Sequence, residues 1–141
     1  MIISAEMYLI KAEALARSST PDIAGAMTAV NTLRAKRMLP GAWVNLSAIN
    51  KDDAIKKVAE GRRREMPFVQ RWYDLRRYNN NEDPNDDVNL SKTFYPYTNS
   101  AVLSTQPVQN YTLPKGSRRW AAPLPRTEII SSDGVIEQNS Y

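Results

Sequence analysis

The sequence predicts a mostly α-helical protein, with tetratricopeptide-like helical hairpins in residues 1–79 and a loop-rich, weakly β tail in residues 80–141. Apolar residues recur with helical spacing in the first part. Prolines and turn-forming residues interrupt the second part and exclude long central strands, and residues 120–141 show no helical period longer than one turn. A tail of this kind is stable only against a support, so we expect it to pack on the helices as part of one structural unit.

Two amphipathic helices joined by a short turn begin the chain. The first has its apolar stripe at Ala5, Tyr8, Leu9, Ala12, Leu15 and Ala16. Thr20-Pro21-Asp22 contains the residues of a helix start, with the threonine as the predicted cap. A second stripe follows and ends at Pro40-Gly41. Such a pair predicts an antiparallel hairpin, the unit of tetratricopeptide-like repeats.

A second pair of helices is predicted in residues 50–78. Asn50, with Asp53 three residues later, is typical of a helix cap. Pro67 ends or kinks the first of these helices. Arg62 lies on its apolar face, so we expect a partly buried guanidinium with a carboxylate partner.

Arginines between residues 62 and 77 form the strongest basic feature. Residues 1–79 contain 14 Lys and Arg against 8 Asp and Glu, whereas residues 80–141 contain 5 against 7. Such a block is either a phosphate-binding face or an ion-pair network. The spacing favours the network, because Arg71 with Asp74 and Glu60 with Arg64 can meet on a helix. We therefore expect no nucleic-acid partner.

The residue types that are missing exclude most catalytic chemistry. The chain contains neither cysteine nor histidine, which excludes thiolate nucleophiles, cysteine-based zinc sites and triads with a histidine base. The acidic residues between 82 and 87 do not have the spacing of a calcium-binding loop. No sequence feature identifies an acidic residue of raised pKa opposite a second carboxylate that acts as the base, which glycoside hydrolysis would need. We expect no catalytic residue, no cofactor and no metal site, although a cation in the acidic loop stays an open alternative.

Aromatic residues in predicted loops offer the candidate ligand contacts. They are Trp43, Tyr95, Tyr97, Trp120 and Tyr141. Exposed rings can stack on sugar faces, but the commoner role of such rings is to hold loops against helices. Trp43, in a polar loop between helices, is the candidate glycan-binding residue.

Four segments resemble, in this order, the C-terminal part of the SusD/RagB family of nutrient-binding outer-membrane lipoproteins. They are AEMYLIKAEALAR, VNTLRAKR, RRREMPFVQRWYDLRRYN and the ending PLPRTEI…GVIEQNSY. The resemblance covers nearly the whole chain. The family more commonly has Phe-Glu-Gly before the motif that starts at Arg71, and Gln-Asn-Pro-Gly-Tyr at the end. The differences here, Phe68-Val69-Gln70 and Gln138-Asn139-Ser140-Tyr141, indicate a variant subgroup.

The resemblance implies binding without catalysis. Family members are several times longer and begin with a signal peptide and a lipidated cysteine, so it implies that this chain lacks an N-terminal part and that the lipid anchor lies outside it. It further implies a place at the outer-membrane surface, where the protein captures oligosaccharides and works with a SusC-like TonB-dependent transporter. No glycan-contacting residue of the family can be assigned to a position here.

We interpret the positions that are most specific to the family as structural residues, which together form its structural signature. They are Arg64, Glu65, Arg71, Trp72, Asp74, Arg76, Gln138, Asn139 and Tyr141. We expect them to form a polar network that joins the last helices to the C-terminal loops. The alternative to the family function is a stand-alone helical-hairpin module that binds a partner protein.

Overall fold

The computed structural model describes residues 4–66, 69–99 and 101–139. Its helices are α1 (Ser4–Arg17), α2 (Ile23–Arg37), α3 (Lys51–Glu65), α4 (Val69–Tyr78) and α5 (Arg126–Ser131). Short antiparallel strands lie between α4 and α5. The predicted fold class, mostly α with a weakly β tail, is confirmed. The helix break predicted at Pro67 falls outside the described residues.

The hydrophobic core lies between α1, α2 and α3, because each of these helices buries one apolar stripe against the other two. The buried residues of this cluster are Ala5, Leu9, Ala12, Ala16, Ala26, Met27, Ala29, Val30, Leu33, Ala54, Ile55, Val58 and Met66. Small residues allow close helix approach. At Gly61 of α3, an added Cβ would lie 3.0 Å from Cδ2 of Leu9 in α1. Tyr8, which the periodicity places on the apolar stripe of α1, is instead exposed.

Side chains cap the N-termini of α2 and α3. Asp22 caps α2, since its Oδ1 accepts a hydrogen bond of 2.8 Å from the backbone N–H of Gly25. The prediction of Thr20 as the cap is therefore wrong, because α2 begins directly after Asp22 and Thr20 lies two residues too early. Asn50 caps α3 as predicted, accepting 2.9 Å from the N–H of Asp53.

The tail is built around a two-stranded ribbon. In it, β1 (Leu90–Phe94) pairs with β4 (Gln109–Leu113), while the shorter β2 (Tyr97–Thr98) and β3 (Ala101–Val102) pair with each other. Most strand residues are exposed, so the ribbon adds little to the core. The short helix α5 follows Pro125, where the sequence predicts no helix. Proline suits a helix start because the first N–H groups of a helix have no partner within it. Within the described ranges, no helix is long and apolar enough to cross a membrane.

Candidate functional site

Glu13 of α1 is the centre of an ion-pair network that joins α1 to α4. Both its carboxylate oxygens accept from the guanidinium of Arg77, at 2.6 and 2.9 Å, and Arg17 donates to the same group at 2.9 Å. Two parallel bonds of this kind are the strongest geometry for a guanidinium and a carboxylate. Burial alone would raise the pKa of Glu13, but the hydrogen bonds and charges of Arg77 and Arg17 lower it below its usual value. Sequence reasoning missed Glu13, because its main partner comes from a distant helix.

Asp74 of α4 holds the second part of this network. Its Oδ2 accepts from Nε of Arg62 at 2.9 Å, and both side chains are buried. The predicted carboxylate partner of Arg62 is thereby confirmed. The expected pair of Arg71 with Asp74 is wrong: Asp74 faces α3 and also contacts Arg77 at 3.5 Å, whereas Arg71 faces a crevice on another side of the helix.

Of the other signature residues of α3 and α4, Arg64 and Arg76 are exposed, whereas Glu65 and Trp72 are partly buried. Glu60 and Arg64 form the predicted pair at 3.4 Å, and Glu65 pairs with Arg37 of α2 at 2.9 Å. Arg76 is exposed, with no ion-pair partner within the described ranges. Half of the arginine block therefore belongs to an ion-pair network, namely Arg62, Arg64 and Arg77. Arg63, Arg71 and Arg76 have no ion-pair partner among the described residues.

Tyr78, at the end of α4, lies beneath this network. The guanidinium groups of Arg77 and Arg17 lie 4.6 and 5.9 Å from its ring centroid. Burial, with the charges of Glu13 and Asp74, raises the pKa of Tyr78 to about 12. Its hydroxyl is buried and has no hydrogen-bond partner in the described part of the chain. A buried polar group of this kind is uncommon and calls for a partner.

The acidic loop after α4 is ion-paired to the rest of the protein. Arg17 contacts Asp86 and, at 3.6 Å, Asp83. Lys115, beyond the ribbon, contacts Asp87 at 2.6 Å. These pairs use carboxylates that a bound cation would need. No cluster of three or more possible metal ligands occurs in residues 4–66, 69–99 and 101–139.

Asn79 closes the acidic loop. Its Oδ1 accepts from the N–H of Val88 at 2.7 Å, and its Nδ2 donates to the carbonyl of the same residue at 2.9 Å. One amide side chain thus satisfies both backbone groups of Val88, as a neighbouring strand would. The loop is held in one position relative to α4.

A crevice of about 280 Å³ lies between α3, α4 and the acidic loop. It is lined by residues from α3, by Arg71 and Tyr78 of α4, and by residues 83–88. Burial, together with the charge of Arg63, lowers the pKa of Arg71. Neither residue has an ion-pair partner among the described residues. The crevice therefore combines a cleft, unpaired guanidinium groups and a buried hydroxyl, which makes it the candidate functional site.

Trp43, the predicted glycan contact, does not line this crevice. It lies in the loop between α2 and α3, where it is partly buried. The guanidinium of Arg34 lies 5.9 Å from the centre of its ring. Trp43 remains a prediction, separate from the crevice.

Trp72 and Trp120 join the tail to α4. Their ring centroids are 4.9 Å apart, and the indole Nε1 of buried Trp120 donates to the carbonyl of Pro114 at 2.8 Å. Further along, Gln138 bonds both backbone groups of Leu124. The contacts of Trp120 support the commoner role of such a ring, which is to hold a loop against a helix. Tyr141 lies outside the described residues.

Asn139 makes a similar contact next to Gln138. Its Nδ2 donates to the carbonyl of Ala122 at 3.0 Å. Asn139 is thereby bonded to the proline-containing segment of residues 122–124, which lies outside the strand pairs of the described residues.

Comparison with known proteins identifies the family. The family model of the SusD family matches residues 4–141. The comparisons with curated proteins and with solved structures give no significant match. The family match covers all helices and the tail, including the crevice and the ion-pair network. The chain belongs to the SusD/RagB family.

Proposed function

We propose that the chain is the C-terminal part of a protein that captures oligosaccharides at the cell surface and delivers them to a SusC-like TonB-dependent transporter. The observation that carries this proposal is the family match over residues 4–141. Membership of the SusD/RagB family indicates a nutrient-binding protein of the cell surface rather than an enzyme. Attachment to the outer membrane would be by a lipid anchor.

The described structure is compatible with binding without chemistry. Several of its buried and half-buried charged groups are held in ion pairs, as in Glu13 with Arg77 and Arg62 with Asp74. A binding protein needs a surface held in one geometry, which such pairs and the packed helices provide. The crevice beside Arg71 is a concave surface with polar groups available to a ligand.

Isolation of the native protein with an antibody against this chain tests the proposal. We expect the antibody to detect a species several times larger than 16.0 kDa in the outer-membrane fraction. After mild detergent extraction it should co-precipitate a TonB-dependent transporter. A species near 16 kDa outside the membrane fraction, without a transporter, would contradict the proposal.

The second candidate is a stand-alone module that binds a partner protein. Exposed apolar side chains on the outer face of α1 favour it: Met7, Tyr8 and Ile10 are 54%, 42% and 46% exposed. Adjacent exposed apolar residues are typical of surfaces that contact another protein. Co-precipitation of a soluble partner through wild-type protein, but not through Ile10→Glu, would support this candidate over the first.

A further inference from the structure

We propose that the crevice between α3, α4 and the acidic loop binds a sugar that carries a carboxylate, such as a uronic acid residue. This inference rests on the proposed function and names the class of ligand. The argument uses the charge balance of the crevice, its unpartnered polar atoms, and its size.

The charge of the crevice that is not compensated within the protein is positive. Most of its carboxylates belong to ion pairs: Asp83 and Asp86 with Arg17, Asp87 with Lys115, and Glu60 with Arg64. Three lining cations, by contrast, have no ion-pair partner among the described residues: Lys56, Arg63 and Arg71. Asp52 is the lining carboxylate without such a partner in the same part of the chain. Because the single guanidinium of Arg17 serves both Asp83 and Asp86, the lining residues and their pair partners together carry six positive and five negative charges. This excess of one positive charge suits a ligand with one negative charge.

Arg63 and Arg71 supply the anion-binding side. They come from α3 and α4 and line the same crevice. Burial, and after it the charge of Arg63, lowers the pKa of Arg71. Two like charges at one site repel each other, and an anion between them removes that repulsion. A carboxylate is planar and accepts two parallel bonds from a guanidinium. Two guanidinium groups that line one crevice therefore favour a carboxylate over a neutral group.

Two unpartnered atoms supply the hydroxyl-binding side. Tyr78, 1% exposed, lines the crevice, and its hydroxyl has no partner in the described ranges. Asp87 lines the crevice as well; its Oδ1 is buried and has no donor among the described residues, while its other oxygen pairs with Lys115. A sugar hydroxyl both donates and accepts, so it can bond a tyrosine hydroxyl and a carboxylate oxygen. Acetate can accept from the tyrosine hydroxyl but has no donor for the carboxylate oxygen of Asp87, so it cannot satisfy both atoms.

The size and the walls of the crevice agree with one sugar ring. Its volume of about 280 Å³ lies just below the range of about 300 to 1,000 Å³ for sites of drug-sized ligands. Ile55, Ala59 and Val88 line it with apolar surface, against which the C–H groups of a sugar ring can pack. A single acidic residue of an oligosaccharide fits this description.

Titration of the 141-residue protein with D-glucuronate, D-glucose and acetate at constant ionic strength tests the inference. We expect glucuronate to bind at least about tenfold more tightly than either of the others, since each lacks one of the two contacts. Arg71→Ala should weaken glucuronate binding at least about tenfold. Arg76→Ala is the matched control, because Arg76 is on the same helix, exposed and outside the crevice; its Kd should equal that of the wild type.

Tyr78→Phe separates a ligand contact from a structural role. Removal of an unpartnered buried hydroxyl should not lower the melting temperature of the free protein, but it should weaken glucuronate binding. Equal affinity for glucose and glucuronate, or an unchanged Kd in Arg71→Ala, would overturn the acidic-sugar assignment. Absence of binding by all three compounds would also overturn it, whereas the transporter co-precipitation decides the proposed function independently.

Discussion

Arg62 of α3 and Asp74 of α4 form an ion pair, with Nε 2.9 Å from Oδ2 and side chains that are 9% and 5% exposed. Such a pair connects two helices through the interior, where a charge without its partner is costly. Asp74 also receives a longer contact from Arg77, so the pair continues into the network around Glu13.

Asp74→Ala should therefore lower the free energy of unfolding by about 3 kcal/mol, because it leaves the guanidinium of Arg62 buried and unpaired. Combination with Arg62→Met should recover much of the loss, since both charges are then absent. Urea denaturation measures both effects. Arg71→Ala is the control and should change the stability little, although the spacing alone predicts Arg71 as the partner. A larger loss in Arg71→Ala than in Asp74→Ala would contradict the assignment.

Glu13→Gln should change the response of stability to acid. The folded pKa of Glu13 lies below its ordinary value of 4.5, so its ion pairs stabilise the protein above about pH 4.5 and this contribution is lost as the pH falls through the folded pKa. The variant should be less stable than the wild type at neutral pH, and this difference should shrink as the pH falls below 4.5. Denaturation curves at several pH values test this. Glu6→Gln on the same helix is the control, and a constant difference across the range would contradict the prediction.

Tyr78→Phe should change the response to alkali. The folded pKa of Tyr78, about 12, is above the ordinary value of 10.0. The folded protein therefore keeps its full free energy of unfolding below about pH 10 and loses part of it as the pH rises from about 10 through 12, because the unfolded chain ionises this tyrosine first. The variant should lose less stability than the wild type in this interval, by on the order of 2 kcal/mol. Spectrophotometric titration should also lack the tyrosine that ionises last. Tyr95→Phe, at an exposed position, is the control and should keep the last ionisation step. Loss of that step in Tyr95→Phe would refute its assignment to Tyr78.

Trp120→Ala should loosen the tail more than the helices. The ring contacts Trp72 and is buried, and loss of a buried tryptophan typically costs about 3 kcal/mol or more. We expect faster hydrogen exchange in the β1–β4 ribbon, with exchange in α1 to α3 changed less. Trp43→Ala, in the loop between α2 and α3, should not affect exchange in the ribbon. Equal exchange of the ribbon in Trp120→Ala and wild type would show that the tail is held by other contacts.

The helical periodicity of the sequence predicts most of the helical part of the fold. The stripes of α1, α2 and α3 correspond to the buried core, and the position of Arg62 on an apolar face predicted its carboxylate partner. Local spacing was less reliable for the choice of partner. It paired Arg71 with Asp74, because residues three apart can meet on a helix, but the direction of Asp74 towards α3 decided otherwise.

The sequence by itself determined the helix periods, the loop-rich tail and the family, because these depend on residues that are near each other in the chain or in a fixed order. Only the tertiary structure places Glu13 at the centre of an ion-pair network, because its partner Arg77 is 64 residues away in the chain. It also decided the crevice, which joins Arg63, Arg71, Tyr78 and Asp87 from separate segments. Ion pairs and clefts depend on how helices and loops are oriented towards each other, and the period of one helix carries no information about that orientation.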